Sequence, residues 1–431
     1  MGASSSGPPP GPRLPDGYRG RVRSRVGTLG PGFRALFLGS LVSNAGDGIR
    51  LAALPLLASE VTSSPVLVSA VTAAQYLPWL TVAPVGGAWV DRHDRRRTIL
   101  VTQAWRGLVM LALALVVASG WVEVWQLCAV AFLITAGEIL VDPSVVATVP
   151  LLVDDDRLDA ANGRIASVEI VTNDFAGGPA GATAFGLAPW LPFLLDGASY
   201  LLSLLLFRRL PSDAAVPGAQ PHGEAGSSRP TLWSDAADGL RYLRRHPVLW
   251  PVTAATMVYY LGAATGFSLL VLLVRDRAGA PAWAFGVVLA CGAVGAFLGT
   301  LAGARVAARS GARATLAVAT LVEGAALVAM AGSTSVPVLA ALWFVGGVPA
   351  GIRIPVAGSL QQRLTPNRLL GRVNVSARMF TRGVLVVGAL ASGAFAAWLG
   401  LRWTFVAGGA VELLAAILLW RALRPRATSV V

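Results

Sequence analysis

Long apolar segments separated by short polar ones follow one another along the chain from Phe33 onward. A helix needs about 20 apolar residues to cross the hydrocarbon core of a bilayer. Measured against that length, the pattern predicts about twelve membrane-spanning helices and an all-α integral membrane fold. The expected limits of these spans are 35–58, 65–90, 98–119, 123–149, 163–187, 189–207, 250–274, 283–307, 314–332, 336–358, 374–397 and 402–420.

Composition agrees with a membrane protein. Hydrophobic residues form 55% of the chain and charged residues 13%, a balance far from that of soluble globular proteins. The chain contains no lysine, so it has no Gly-x-x-x-x-Gly-Lys phosphate-binding loop and cannot drive transport with ATP by itself. Neither metal-ligand spacing nor a nucleophile motif is present. We therefore expect neither an enzyme nor a bound metal or cofactor.

The arginines orient the spans. Loops on the cytoplasmic side of a membrane carry an excess of positive charge, and counting spans from the arginine-rich N-terminal segment places nearly all arginine clusters on one side. An even number of spans with both termini in the cytoplasm fits this distribution. The net charge of +13 is explained by topology, because the basic residues flank apolar spans. We therefore expect no nucleic-acid partner.

The centre of the chain divides the spans into two halves. A segment rich in Gly, Pro, Ser and Ala follows Leu210, and such a composition is typical of a linker. Residues 231–245 then predict an amphipathic surface helix, which Pro247 ends. We expect a disordered basic cytoplasmic tail over 1–33 and a six-helix bundle over 34–208. A cytoplasmic linker with its surface helix follows over 209–249, then a second six-helix bundle over 250–421 and a cytoplasmic tail over 422–431.

A weak internal repeat supports two related bundles. Residues 91–99 align without gaps on residues 308–316, and the arginines, a threonine and the apolar end agree. Both copies fall between the second and third spans of their half, as expected for two bundles that are parallel repeats. The second copy has lost its acidic residue, so we expect it to be structural.

Ionisable residues inside the spans are functional candidates, because a charge at the bilayer centre costs on the order of 2.5 kcal/mol or more. Asp47 and Glu138 lie at mid-membrane depth and are the leading candidates for proton binding, although Asp47 could instead form a fixed ion pair with Arg50, three residues later on one helical face. Glu169 and Asp174 could be packing or gating partners of Arg106. The proton or substrate candidates are Asp47, Arg50, Glu138, Asp142, Glu169 and Asp174.

Amide, aromatic and charged residues in the spans could line a cavity for bulky amphipathic molecules. Any one of the aromatic residues could instead serve helix packing or an interfacial belt. The cavity candidates are Asn44, Gln75, Tyr76, Arg106, Tyr259, Tyr260, Glu323 and Arg382.

A basic cluster between the second and third spans carries a family resemblance. Gly87, Asp91, Arg92, Arg95 and Arg96 match the pattern Gly-x-x-x-Asp-Arg-x-Gly-Arg-Arg. This pattern resembles the loop between spans two and three of major facilitator superfamily transporters, although an aspartate stands at its second glycine. The resemblance implies a gate in which the aspartate lies near the N-terminus of span eleven, where a helix dipole favours an anion. Alternatively, the arginines only set topology.

Further motifs resemble the drug:proton antiporter branch, which includes macrolide efflux proteins and the enterobactin exporter. They include Asn-Ala-Gly-Asp at 44–47 and Gln-Tyr-Leu-Pro at 75–78. Gly178, Pro179 and Gly181 partly match the antiporter motif Gly-x-x-x-Gly-Pro-x-x-Gly, with Asp174 at its first glycine and Ala182 at its last.

The resemblance implies a secondary active transporter that exports small amphipathic molecules, such as drugs or secondary metabolites, in exchange for protons by alternating access. We expect a monomer that crosses the inner (plasma) membrane of a bacterium several times, with the lipid bilayer, protons and an amphipathic substrate as its partners. The alternatives on the same fold are a siderophore exporter, an importer, or a receptor or scaffold that transports nothing.

Overall fold

Helices account for nearly all of the regular structure. The computed structural model describes residues 30–211, 240–366 and 369–424, and no strand occurs among them. The first two helices that the structure describes each have a proline in their first turn, where the missing N–H costs nothing. Helices of the first half are α1 Pro31–Val61, α2 Pro65–Tyr76, α3 Pro78–Thr81, α4 Ala83–Arg92, α5 Arg95–Ala118, α6 Val124–Thr148, α7 Leu158–Glu169, α8 Gly178–Leu187 and α9 Leu191–Phe207.

The helices of the second half are longer, and two of them are broken by glycine. Gly311 and Gly400 have φ angles of 73° and 83°, in the left-handed region that a glycine adopts without steric cost. Each of these residues therefore divides one continuous helical segment into two helices. The segments are α10 Leu249–Leu272, α11 Ala282–Met330, α12 Val336–Leu364 and α13 Leu370–Ala422.

Seven helical segments of the described chain are long and apolar enough to cross a membrane. Two of them contain the glycine breaks: α11, of 49 residues, and the part of α13 over Ser376–Ala422, of 47 residues. Leu191–Phe207 is apolar but shorter. The number of twelve spans and the orientation of the termini stay predictions. The surface helix also stays a prediction, because residues 231–239 lie outside the described part of the chain, although residues 240–245 are helical.

Two of the expected spans are helical but irregular. The span expected at 65–90 contains α2, α3 and α4, with Pro78 and Pro84 in the first turns of the last two helices. Leu77 and Val82, which separate these helices, have helical dihedral angles, and Pro65–Gly86 is one of the seven apolar segments. The span expected at 163–187 contains a π-helix over Ile170–Gly177, directly before Gly178 and Pro179. Proline lacks an N–H and collides with the preceding turn, so it breaks or distorts a helix that hydropathy alone would continue.

Apolar packing differs between the two ends of the molecule. At one end a single core joins both halves, with Leu57 and Phe185 in the same cluster as Leu270 and Phe285. At the other end each half has its own core, the first around Phe207 and its neighbours, the second formed by separate residues of α10 to α13. The halves are therefore packed together at the first end and separated at the second.

Close helix contacts in the first half depend on missing side chains. A Cβ at Gly181 in α8 would collide with the backbone carbonyl of Ile49 in α1, and a Cβ at Gly177 would collide with Gly48. By contrast, a Cβ at Gly186 in the same helix would meet no atom within 4 Å. The approach of α1 to α8 is thus limited by backbone atoms.

We predict that Gly181→Ala destabilises the protein by about 1–3 kcal/mol, because the added methyl group forces two backbones apart. Gly186→Ala, the matched control, should leave stability unchanged or raise it slightly, since alanine is the better helix former. The measurement is the thermal unfolding of the purified variants in detergent. Equal unfolding temperatures for the two variants would contradict the close contact.

Candidate functional site

A central cavity of about 710 Å³ lies between the two halves. This volume falls within the range of pockets that bind drug-sized molecules. The cavity reaches Phe207 and Leu249, at the end where the halves are separated. Its polar lining includes Asn44, Gln75, Glu138 and Asp142 from the first half and Tyr260, Arg353, Arg378 and Arg382 from the second.

A network of buried charges forms the first-half wall of this cavity. Helix α1 places Asp47 and Arg50 on one face, three residues apart, and Arg50 Nη2 lies 3.1 Å from Asp47 Oδ1. The same nitrogen lies 2.6 Å from Oε1 of Glu138 in α6. Arg106 of α5 places its Nη2 2.9 Å from Asp47 Oδ1 and 3.4 Å from Glu138 Oε1. Two guanidinium groups thus join three helices through two carboxylates.

Helix α9 adds Tyr200 and Asp196 to this network. The Tyr200 hydroxyl donates to Asp47 Oδ1 at 2.5 Å and accepts from Arg106 Nη2 at 2.7 Å, while the guanidinium of Arg106 lies 4.1 Å from the centre of the tyrosine ring. Asp196 is fully buried, and its Oδ2 lies 3.5 Å from Arg50 Nε. Neither oxygen of Asp196 has a hydrogen-bond partner among the described residues.

Small residues make room for these long side chains. A Cβ at Gly137 would lie 2.7 Å from Cδ of Arg106, so only glycine lets this arginine cross α6. Gln103, one turn before Arg106, accepts from Arg106 Nη1 at 3.2 Å and donates to the hydroxyls of Ser43 and Ser203 at 2.9 and 2.8 Å. Gln103 thus links Arg106 to polar groups of α1 and α9, and such pairing lowers the cost of burying them.

Exposure distinguishes the members of the cluster. Arg50 and Arg106 are 2% and 1% exposed, whereas the side chain of Glu138 is 27% exposed and lines the cavity. Glu138 is therefore the carboxylate of this group that a substrate or a proton from the cavity can reach most easily. Asp142, one turn later in α6, also lines the cavity.

A second buried cluster lies in the other half. Arg353 Nε of α12 lies 3.6 Å from Glu323 Oε2 of α11. The Arg353 guanidinium lies 3.8 Å from the ring centre of Tyr259 and 5.7 Å from that of Tyr260, a geometry typical of cation–π contacts. Glu412 of α13 is 3% exposed.

Three of the cavity candidates do not line the cavity. Tyr259 and Glu323 are buried behind Arg353. The side chain of this arginine lines the cavity at the place where the sequence predicted Tyr259 and Glu323. Tyr76 lies 5.8 Å from the guanidinium of Arg382 and belongs to the contact between α2 and α13. The remaining candidates do line it: Asn44, Gln75, Arg106, Tyr260 and Arg382.

The basic cluster after α4 is described in part. Arg95 Nη1 donates to the carbonyl of Ala147 at 3.0 Å, and Arg96 Nη2 donates to the carbonyl of Arg208 at 2.8 Å. Both carbonyls lie at helix C-termini, where a cation is favourable. The surroundings of Gly87 and the side chains of Asp91 and Arg92 lie outside the described part of the chain.

The partial antiporter motif lies at a helix junction. Gly178 and Pro179 begin α8 directly after the π-helix, and a Cβ at Gly286 of α11 would lie 3.0 Å from the Gly178 carbonyl. Gly178 therefore approaches the second half, while Gly181 approaches α1. The side chains of Glu169 and Asp174 lie outside the described part of the chain, whereas Arg106 is paired as given above.

Sequence reasoning missed Asp196, Tyr200 and Arg353. Asp196 and Arg353 stand within apolar runs at 189–207 and 336–358, so the rule that selected Asp47 and Glu138 applies to them equally. Tyr200 offers no such signal, because tyrosine is common in apolar helices and its importance depends on the two charges that it joins.

Residues 29–430 match the family model described as transmembrane secretion effector of the MFS transporters. The chain belongs to this family. Its resemblance to the major facilitator superfamily is thereby confirmed. The chain is a multi-pass membrane transporter and not an enzyme, and it is suited to small-molecule substrates.

Relatives with efflux functions support the narrower resemblance. The chain is 27% identical over 409 residues to the multidrug efflux pump Tap of Mycobacterium tuberculosis, covering 90% of this chain and 94% of that one. It is 26% identical to macrolide efflux protein A of Streptococcus pyogenes over 140 residues, 32% of this chain and 35% of that one. These bacterial relatives agree with a location in the inner membrane.

The fold is shared with solved transporters. The crystal structure of a bacterial homologue of the iron transporter ferroportin, in an inward-facing state, superposes with a TM-score of 0.70 at 17% identity and covers 90% of this chain and 98% of that one. At this identity the likeness describes the fold alone.

Proposed function

We propose that the protein is a secondary active transporter that exports small amphipathic molecules in exchange for protons. The observation that carries this proposal is the cavity of about 710 Å³ whose wall holds Glu138, hydrogen-bonded to the buried Arg50. The efflux functions named for the relatives support the direction of transport. The lining of apolar and charged residues from both halves suits amphipathic substrates.

The proposed architecture has twelve spans in two six-helix bundles, 34–208 and 250–421, with both termini in the cytoplasm and a single chain as the working unit. The glycine breaks at Gly311 and Gly400 support it, because they divide the two longest segments into helix pairs. With the breaks counted, the interrupted helices of each half group into six apolar units. The arginine distribution supports the orientation.

Alternating access follows from the unequal packing of the two ends. The halves are separated at the end of Phe207, which the proposed topology assigns to the cytoplasm, and packed together at the opposite end. At the packed end Arg275 Nη2 of the second half lies 3.3 Å from Glu60 Oε1 of the first half. The described state is therefore inward-facing in this proposal, and export requires the packed end to open.

Coupling would operate through Glu138. Protonation of this carboxylate weakens its 2.6 Å contact with Arg50, and the arginine then balances Asp47 and Asp196 more strongly. The contact between α1 and α6 therefore depends on whether Glu138 is charged. A substrate that is cationic or donates hydrogen bonds would compete with the proton for the same carboxylate.

We predict that Asp47→Asn and Glu138→Gln each abolish proton-driven efflux in proteoliposomes. Glu138→Gln removes the carboxylate that binds the proton, and Asp47→Asn removes a carboxylate that balances Arg50 when Glu138 is protonated. Both replacements keep the shape of the side chain, so substrate binding, measured in parallel, should be retained in a folded variant. The exposed Asp156→Asn is the control. The assay follows an efflux substrate such as ethidium or erythromycin together with a pH-sensitive dye. Normal coupled efflux in both variants would contradict the role of Asp47 and Glu138 in proton coupling.

Asp91 belongs to the proposed gate, in which Arg95 and Arg96 hold the ends of neighbouring helices. We predict that Asp91→Asn lowers export while membrane expression stays normal. Asp94→Asn is the matched control, because Asp94 caps α5 through the Arg97 amide at 2.9 Å and asparagine is an equally good N-cap. Undiminished export by the Asp91 variant would leave the arginines with a topological role alone.

A further inference from the structure

One ion pair in the second half corresponds to an ion pair in the first half with its signs exchanged. Extending the gapless alignment of Thr98 on Thr315 by eight residues places Arg106 on Glu323. In the first half, the arginine is on the third helical unit and its partner, Glu138, on the fourth, 3.4 Å away. In the second half the glutamate comes first, and Arg353 on the next segment lies 3.6 Å from it.

Each cluster also receives a carboxylate from the last helix of its half. Asp196 belongs to α9, and Glu412 belongs to α13 after the break at Gly400. In the second half, this makes two carboxylates, Glu323 and Glu412, for one guanidinium group. If both were ionised, one negative charge would be buried without compensation, at a cost of several kcal/mol.

Glu412 is the carboxylate without a cation. Its side chain forms no ion pair within 4.0 Å with any residue that the structure describes, whereas Glu323 lies 3.6 Å from Arg353. Hydrogen bonding does not distinguish the two carboxylates, because Oε2 of Glu412 and both oxygens of Glu323 lack a partner there. Helix packing holds it in place, because a Cβ at Gly262 of α10 would lie 2.9 Å from Glu412 Cγ, and one at Gly324 of α11 would lie 2.9 Å from its Cβ. The side chain is thus enclosed by two helices.

The groups around Glu412 connect it to the cavity. Glu323 of α11, Arg353 of α12 and Tyr259 of α10 are the titratable or charged groups that interact with it, and Tyr260 of α10 lies beside Arg353. Arg353 and Tyr260 line the cavity, whereas Glu323 and Glu412 lie behind them. A proton from water in the cavity therefore passes Arg353 before it reaches Glu412.

We infer that the cluster of Glu323, Arg353 and Glu412 is a second proton-binding site, with the proton on Glu412 and the charge of Glu323 balanced by Arg353. A proton leaves a cavity water, binds a carboxylate oxygen of Glu412, and returns to water when the site opens. As a step of transport this inference rests on the proposed proton coupling, but proton binding itself can be tested without transport.

The test is infrared difference spectroscopy of purified protein between acidic and alkaline buffers. Glu412→Gln, which resembles the neutral side chain in shape, should lose the carbonyl stretching band of a protonated carboxylic acid, and Glu412→Asp should restore a shifted band. In Glu323→Gln the band should be weaker at a given acidic pH, because Arg353 can then balance an ionised Glu412. The exposed Asp156→Asn, the control outside the cluster, should keep the band unchanged. Thermal unfolding establishes that each variant is folded.

An unchanged band in folded Glu412→Gln would overturn the second site, whatever the transport assays give. Loss of the band in Glu323→Gln but not in Glu412→Gln would also overturn the assignment. A band that depends on Glu412, in a protein that moves no protons with its substrate, would support the site and contradict the proposed coupling. The two proposals therefore fail by different observations.

Discussion

Burial of ionised side chains among apolar helices is the constraint on which this structure depends. An arginine inside the membrane region is tolerated only when carboxylates and hydroxyls surround it. Arg50 and Arg106 meet that requirement by joining α1, α5, α6 and α9 through Asp47, Glu138 and Tyr200. Each side chain depends on its neighbours, because removal of one partner leaves a buried charge.

The same constraint links packing to transport. Glycines such as Gly137 allow the arginines to cross between helices, and the cavity exposes Glu138 at the edge of the network. A proton that binds at this edge changes the balance of charges deep between the helices. Contacts among rigid helices can therefore respond to a small chemical event, as alternating access requires. The second half also buries a charge cluster, formed by Glu323, Arg353 and Glu412.

Much of this arrangement was predictable from local patterns. Apolar runs identified the membrane segments, the i, i+3 spacing identified the Asp47–Arg50 pair, and mid-span position selected Glu138. The irregular turns at Pro78 and Pro84 could not be read from the apolar pattern, because hydropathy does not report backbone hydrogen bonding. Asp196 carried the same signal as Asp47 and was overlooked. Which charges meet across helices depends on the neighbours of each helix, and a single sequence contains little information about such contacts.

Coupling between substrate movement and proton movement is tested most directly in proteoliposomes loaded with an efflux substrate, without any imposed pH gradient. A pH-sensitive dye is followed as the substrate leaves. We expect a pH change that keeps pace with substrate movement and collapses when a proton carrier is added. Substrate movement through the protein with a flat pH trace would contradict this coupling.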